Sequence, residues 1–185
     1  ENIIKTAVDE FGKVDGVVSN AGILRDGTFH KMEFANWDAV LKVHLYGGYN
    51  VIRAAWPHFR ENGFGRVVVA TSTSGLFGNF GQANYGAAKD GLAGFTRVVA
   101  RDLAKYGVTA NSISPGGDTR MTASMPDTTR AMRQEGKMQP PTGVLTRAPE
   151  HVAPMVAWLA SDAAQHVSGH VFHCTGNIIS LFTDP

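Results

Sequence analysis

An α/β fold, with a parallel sheet buried between two layers of helix, is what this sequence predicts, and three observations predict it. Helical and strand-like patterns alternate along most of the 185 residues. The strand-like runs, such as Arg66-Val67-Val68-Val69-Ala70-Thr71, are nearly continuous in apolar residues, as strands covered on both faces are. The runs also end in residues suited to a strand exit, with Asn20, Ser72 and Pro115 at three such ends. In sheets of this kind ligands bind outside the carboxyl ends of the strands, so these three positions predict one site along one edge.

Taken in order, Glu1 to Phe11 reads as a helix, because Ile4, Ala7, Val8 and Phe11 recur at helical spacing. Val14 to Ser19 is a short apolar strand leaving through Asn20-Ala21-Gly22. A long helix is expected from about Asn36 to Arg60, with an apolar stripe through Leu41, His44, Gly48, Val51, Ala55 and Phe59. Val67 to Ser72 is the second strand and Gln82 to about Lys105 the second long helix. Val108 to Ser114 is a third strand, stopped by Pro115-Gly116-Gly117. Thr119 to Arg147 is irregular and carries Met121, Met125, Met132 and Met138. Either a mobile lid over an apolar ligand, using methionine's adaptability, or a plain surface loop fits it. Pro149 to Ser161 reads as an amphipathic helix with its proline early, and Val167 to Thr175 as the last strand.

Composition narrows the function. Hydrophobic residues at 43% and charged ones at 18% fit a globular protein with a substantial core. A net charge of +1 argues against broad electrostatic capture of nucleic acid or of a membrane surface. Cys174 is the single cysteine, so no intrachain disulfide can form and a reducing compartment such as the cytoplasm is expected. The histidines show no metal-ligand spacing.

The chemistry concentrates in Gly81-Gln82-Ala83-Asn84-Tyr85-Gly86-Ala87-Ala88-Lys89. Tyr85 and Lys89 are four residues apart, hence one helical turn apart on one face. A free phenol titrates near pH ~10 and is a poor base at neutrality. A fixed positive charge beside it favours the phenolate, which is what proton transfer by a tyrosine near neutral pH requires. Ser72 ends the strand thirteen positions upstream, so strand end, glycine-rich turn and helix would bring the three side chains to one rim. Tyr-x-x-x-Lys alone is commonplace; the serine and the Gly78-Asn79-Phe80-Gly81 context give it weight.

With these residues the chain resembles the short-chain dehydrogenase/reductase family, whose Ser, Tyr and Lys fall on Ser72, Tyr85 and Lys89. The resemblance implies a Rossmann-like doubly wound parallel sheet, here lacking its first βαβαβ half, and hydride transfer between NAD or NADP and a secondary alcohol or ketone. It assigns Asn20, Ala21 and Gly22 to the adenosine half of the cofactor, with Ser19 where the family has a further Asn. Pro115, Gly116, Gly117 and Thr119 would meet the nicotinamide half, Thr122 being the competing threonine, and Val43 joins the cofactor set. His44 stands where most members carry an Asn that supports a water relay behind the lysine. Both a buried core histidine and a relay member fit it, since imidazole donates and accepts hydrogen bonds. Together with Ile23-Leu24-Arg25-Asp26 and Arg53-Ala54-Ala55-Trp56, His44 resembles a narrower branch, the (3R)-hydroxyacyl-CoA dehydrogenase part of multifunctional enzyme type 2 and its bacterial relatives. That implies a 3-hydroxyacyl or 3-oxoacyl thioester substrate. The alternatives are a 3-oxoacyl-carrier-protein reductase using NADPH and a catalytically silent piece acting only in assembly.

No Gly-x-Gly-x-x-Gly precedes Val14, so residues 1–185 are expected to be a single partial dinucleotide-binding domain. Val14 to Ser19 should then show either a paired edge or a large opening beside it. Family members pair through the helices matching 36–60 and 82–105, so a homodimer or homotetramer is expected, its close approach eased by Gly86, Gly91 and Gly94.

Overall fold

In the computed structural model, which describes residues 2–123 and 146–183, five strands form one sheet in sequence order. They are β1 (Gly16–Ser19), β2 (Gly65–Ala70), β3 (Val108–Gly116), β4 (Val171–Thr175) and β5 (Ile178–Phe182). The first four run parallel and β5 returns antiparallel to β4. The helices are α1 (Asn2–Phe11), α2 (Phe34–Leu41), α3 (Gly47–Asn62), the single turn α4 (Thr73–Leu76), α5 (Ala83–Leu103), α6 (Arg120–Ala123) and α7 (Ala153–Leu159).

The pleat of β2 divides the core. Val67 and Val69 point one way and pack, with Val17 and Ala110, against Ile4 of α1, Phe59 of α3 and Leu92 of α5. Val68 points the other way and packs with Ile113 and Cys174 against Met155 and Leu159 of α7. Each of the three valines is at most 1% exposed, worth on the order of 1.5–3 kcal/mol of transfer free energy apiece. The sheet is therefore covered on both faces, a Rossmann-like doubly wound arrangement. β1 is its outermost strand, with no strand beyond it among the described residues, and Val18 is 54% exposed there.

The expectations need correction at five points. The long helix is not uniform: between α2 and α3 the turn Lys42–Tyr46 is a π-helix. That wider turn takes an extra residue, so the buried face runs through Val40, His44, Gly48, Ile52, Ala55 and Phe59, displacing Leu41 and Val51. The third strand does not stop at Ser114 but runs through Pro115 to Gly116, pairing with Cys174 and Thr175 of β4. The Ser112 N–H points at β4, so by alternation the Pro115 nitrogen faces the β2 side, beyond Ala70, where the ladder has ended and no donor is needed. The fourth strand starts at Val171, because Gly169 at φ 84 turns the chain just before it. β5 was missed altogether, although Gly176-Asn177 between two apolar runs is a hairpin signal. Finally, Pro149–Val152 is a 3-10 turn leading into α7 rather than its first turn. Met125, Met132 and Met138 lie outside the described residues, as does most of the segment read as lid or loop.

The contact that positions the site is α4 against α5. A Cβ on Gly75 would stand 2.5 Å from the Asp90 nitrogen and 2.9 Å from the Lys89 carbonyl carbon, both backbone atoms that cannot yield. Gly75→Ala should therefore lower stability by about 1–3 kcal/mol, seen as a reduced urea midpoint at unchanged slope. An unchanged midpoint would show that the two helices do not approach this closely.

Candidate active site

The site grows from the carboxyl end of β2. Thr71, 1% exposed, takes its N–H to the Ile113 carbonyl at 2.7 Å and its Oγ1 to the Lys89 carbonyl at 2.6 Å. Lys89 answers from the other direction, Nζ donating to the Ala70 carbonyl at 2.6 Å. Strand end and helix are thus stitched together by two opposed hydrogen bonds. Ser72 follows in extended conformation, and its Oγ accepts the Ser74 N–H at 3.1 Å, capping α4.

On α5, the Lys89 Nζ lies 5.5 Å from the centroid of the Tyr85 ring, one turn earlier. Lys89 is 4% exposed, and burial lowers its pKa to about 8. At neutral pH most of it is still the ammonium ion, so a buried positive charge sits beside the phenol. His44, from the π turn, meets Tyr85 edge to face with ring centroids 5.2 Å apart. Its Nε2 lies 2.8 Å from the Ile23 carbonyl and 3.0 Å from the Ile23 N–H, of which a single tautomer uses one. Burial first, then the Lys89 charge, press the His44 pKa down to about 4 against the Ile23 hydrogen bond, so the ring is neutral. Its Nδ1 is buried without a protein partner. The loop after β1 crosses directly over this ring: a Cβ on Gly22 would fall 2.3 Å from His44 Cε1, which explains the glycine.

These groups open onto a cavity of about 610 Å³ at the carboxyl ends of β1, β2 and β3, within the usual ~300–1,000 Å³ of small-molecule sites. Asn20, Gly22, His44, Tyr85, Lys89, Pro115, Gly117 and Thr119 all line it, and Val152 and Val156 close its apolar side. Thr119, not Thr122, is the threonine on the wall. Ser72, Ala21, Val43 and Gly116 are not on that wall. Ser72 adjoins Thr71, which is, with its hydroxyl engaged at α4. Ala21 is exposed between two lining residues, and Val43 is half-buried. Gly116 instead serves sheet packing, since a Cβ there would meet Thr175 at 2.7 Å. Pliable backbone at Asn20 and Gly22, an ammonium beside a phenol, and Pro115 to Thr119 opposite suit a nicotinamide nucleotide laid across the strand ends.

Sequence reasoning missed the polar layer behind the tyrosine. Gln82, 2% exposed, donates to Asp26 Oδ2 at 2.9 Å and accepts from Asn79 at 2.7 Å, while the Gly27 N–H donates to the Gly81 carbonyl at 2.8 Å. Partners so distant in sequence leave no local spacing signal. Polar residues crowded before Tyr85 were the one available hint.

Comparison with known proteins agrees with this geometry. A family model described as enoyl-(acyl carrier protein) reductase matches residues 1–176. A Mycobacterium tuberculosis protein named for the short-chain type dehydrogenases/reductases is 63% identical over 161 residues, covering 87% of this chain and 52% of its own. The peroxisomal multifunctional enzyme type 2 of Mus musculus is 40% identical over 169 residues, 91% of this chain and 21% of its own. An acetoacetyl-CoA reductase of Allochromatium vinosum is 41% identical over 168 residues, 90% of this chain and 67% of its own. The crystal structure of a short chain dehydrogenase from Mycobacterium avium superimposes with a TM-score of 0.83 at 36% identity, covering all of this chain and 60% of that one. The chain thus spans about half the length of the first of these relatives.

The depressed His44 pKa has a consequence for stability. An unfolded chain titrates this group near 6.5, the folded one near 4. Between those values the unfolded chain binds more protons, so stability falls as pH is lowered through that window. Half-buried His173 is lowered too, by burial first, and pulls the same way. Comparison of wild type with His44→Gln isolates the His44 share. The stability difference between them should change by up to the order of 3 kcal/mol from pH 7 to pH 4 in urea titrations. Parallel curves would mean that His44 is not buried neutral.

Proposed function

The chain belongs to the short-chain dehydrogenase/reductase family, and on that premise we propose that it forms the catalytic part of an NAD(P)-dependent oxidoreductase acting on a 3-hydroxyacyl or 3-oxoacyl thioester. The observation that carries this reading is the Lys89 ammonium, fixed on the Ala70 carbonyl at 2.6 Å and set 5.5 Å from the Tyr85 ring inside a cavity at the strand ends. The thioester class is supported by the acetoacetyl-CoA reductase among its relatives. We take NAD as the cofactor, with NADP the alternative.

Asn20, Gly22, Pro115, Gly117 and Thr119 would hold the nicotinamide cofactor, which would supply or accept the hydride. Tyr85 exchanges the proton with the substrate oxygen. Ser72, half-buried beside the lining Thr71 and only accepting at Oγ from the Ser74 N–H, keeps its O–H to donate to that oxygen as charge builds on it, once substrate reaches past the wall. Lys89, charged below about pH 8, favours the phenolate that Tyr85 becomes when a keto group takes its proton. His44, neutral and with Nδ1 free of protein partners, passes protons behind Lys89 through water. A 3-oxoacyl-carrier-protein reductase using NADPH is the second reading, favoured by the acyl-carrier wording of the family description. We further propose that residues 1–185 are part of one dinucleotide-binding domain, that the protein is cytoplasmic, or peroxisomal in a eukaryote, and that it pairs two-fold through α3 and α5. Half-exposed Tyr46, Tyr49 and Val98 on these helices and the π turn support the pairing.

In the natural protein carrying these residues, Tyr85→Phe should reduce turnover of an acetoacetyl thioester by roughly 10²–10⁴-fold. His44→Leu should reduce it strongly with the fold intact, and unchanged kinetics would remove His44 from the mechanism. Absence of any thermal shift with NAD(H) or NADP(H) would defeat the enzyme reading and favour a silent assembly role. Light scattering should report a dimer or tetramer, and a monomer would refute the helix-paired interface.

A further inference from the structure

Asn84, the residue before the catalytic tyrosine, is 0% exposed, so it cannot touch substrate. It is nonetheless tied to three elements. Its Nδ2 donates to the Arg25 carbonyl at 2.9 Å and to the Asn36 carbonyl at 3.2 Å, while its Oδ1 accepts the Tyr85 N–H at 2.7 Å. Two carbonyl acceptors leave only one way round for the amide, because the flipped form would set oxygen against oxygen. Gln82, at the N-cap of α5, makes no side-chain capping bond, so the first-turn N–H of Tyr85 is held by Asn84 instead.

The Arg25 carbonyl belongs to the same loop that His44 grips at Ile23, Gln82 at Asp26 and Gly81 at Gly27. Asn84 therefore joins the cofactor-side loop, the start of α2 and the turn bearing the phenol. We propose that Asn84 is a positioning residue: it sets the height and rotation of Tyr85 over the cavity and couples them to the loop Asn20–Gly27. This rests on the reading of Tyr85 as the proton-transfer group.

The experiment uses the natural full-length protein and Asn84→Ala, with Asn84→Ser as the milder variant that keeps one donor and one acceptor. Steady-state kinetics with acetoacetyl-CoA and reduced cofactor are measured beside amide hydrogen exchange across residues 23–27 and 83–89. Loss of positioning should lower kcat by roughly 10- to 100-fold with KM for both substrates little changed, and raise exchange in those two stretches alone. Asn84→Ser should fall between the alanine variant and wild type. Wild-type kcat in the alanine variant overturns the proposal. So does a loss of kcat matched by raised KM and by exchange rising across the whole protein, which marks a merely structural role. If the alanine variant does not fold, the serine variant decides by the same criteria. An inactive wild type would overturn the oxidoreductase reading instead; the exchange pattern then decides the positioning claim, localised opening supporting it and no change defeating it.

Discussion

A buried ammonium resting on one backbone carbonyl organises this molecule. Removing a lysine head from water costs free energy unless polar partners replace the solvent, and here the Ala70 carbonyl is the partner that meets Nζ. Burial lowers its pKa to about 8, which leaves the charge present at neutrality. The anchor also dictates packing, because the helix must lie close enough to β2 for a side chain to reach the end of the strand. Small residues make that possible: Ala88 and Ala93 of α5 are fully buried, and Gly75 abuts its backbone. Thr71, donating to the Lys89 carbonyl, locks the same two elements from the opposite side.

Around that anchor the site is built by grips on one loop. The chain leaving β1 is held at Ile23 by His44, at Arg25 by Asn84, at Asp26 by Gln82 and at Gly27 by the Gly81 carbonyl. Those groups come from the π turn and from the approach to α5 and its first turn, the segments that also carry the ring beside Tyr85 and Tyr85 itself. The π turn is part of the same device. Its extra residue keeps His44 and Gly48 on one buried face while the helix continues toward Phe59.

Much of this was legible beforehand. Apolar runs such as Val67-Val68-Val69 announce a doubly covered strand because each residue alternates between two dry faces. The Tyr85–Lys89 spacing announces one helix face because the period of the helix is local. His44 was marked by its place on an apolar stripe, and the structure buries it. What escaped was non-local or energetically subtle. The π turn has no periodicity of its own within five residues. β5 is short and its outer residues Ile179 and Leu181 are half-exposed, so apolar patterning does not separate it from a loop. The Asp26–Gln82 and Asn84–Arg25 contacts join residues more than fifty positions apart.

The sequence by itself determined the fold class, the order of elements and the chemical identities at the strand ends, since these follow from local periodicity and from which side chains can carry a proton or a charge. Only the tertiary structure decided that His44 is neutral, that Lys89 is anchored on Ala70, and that Thr119 rather than Thr122 faces the cavity. Charge state and orientation depend on burial and on hydrogen-bond partners, and both are supplied by chain segments that are remote in sequence and meet only when the sheet closes.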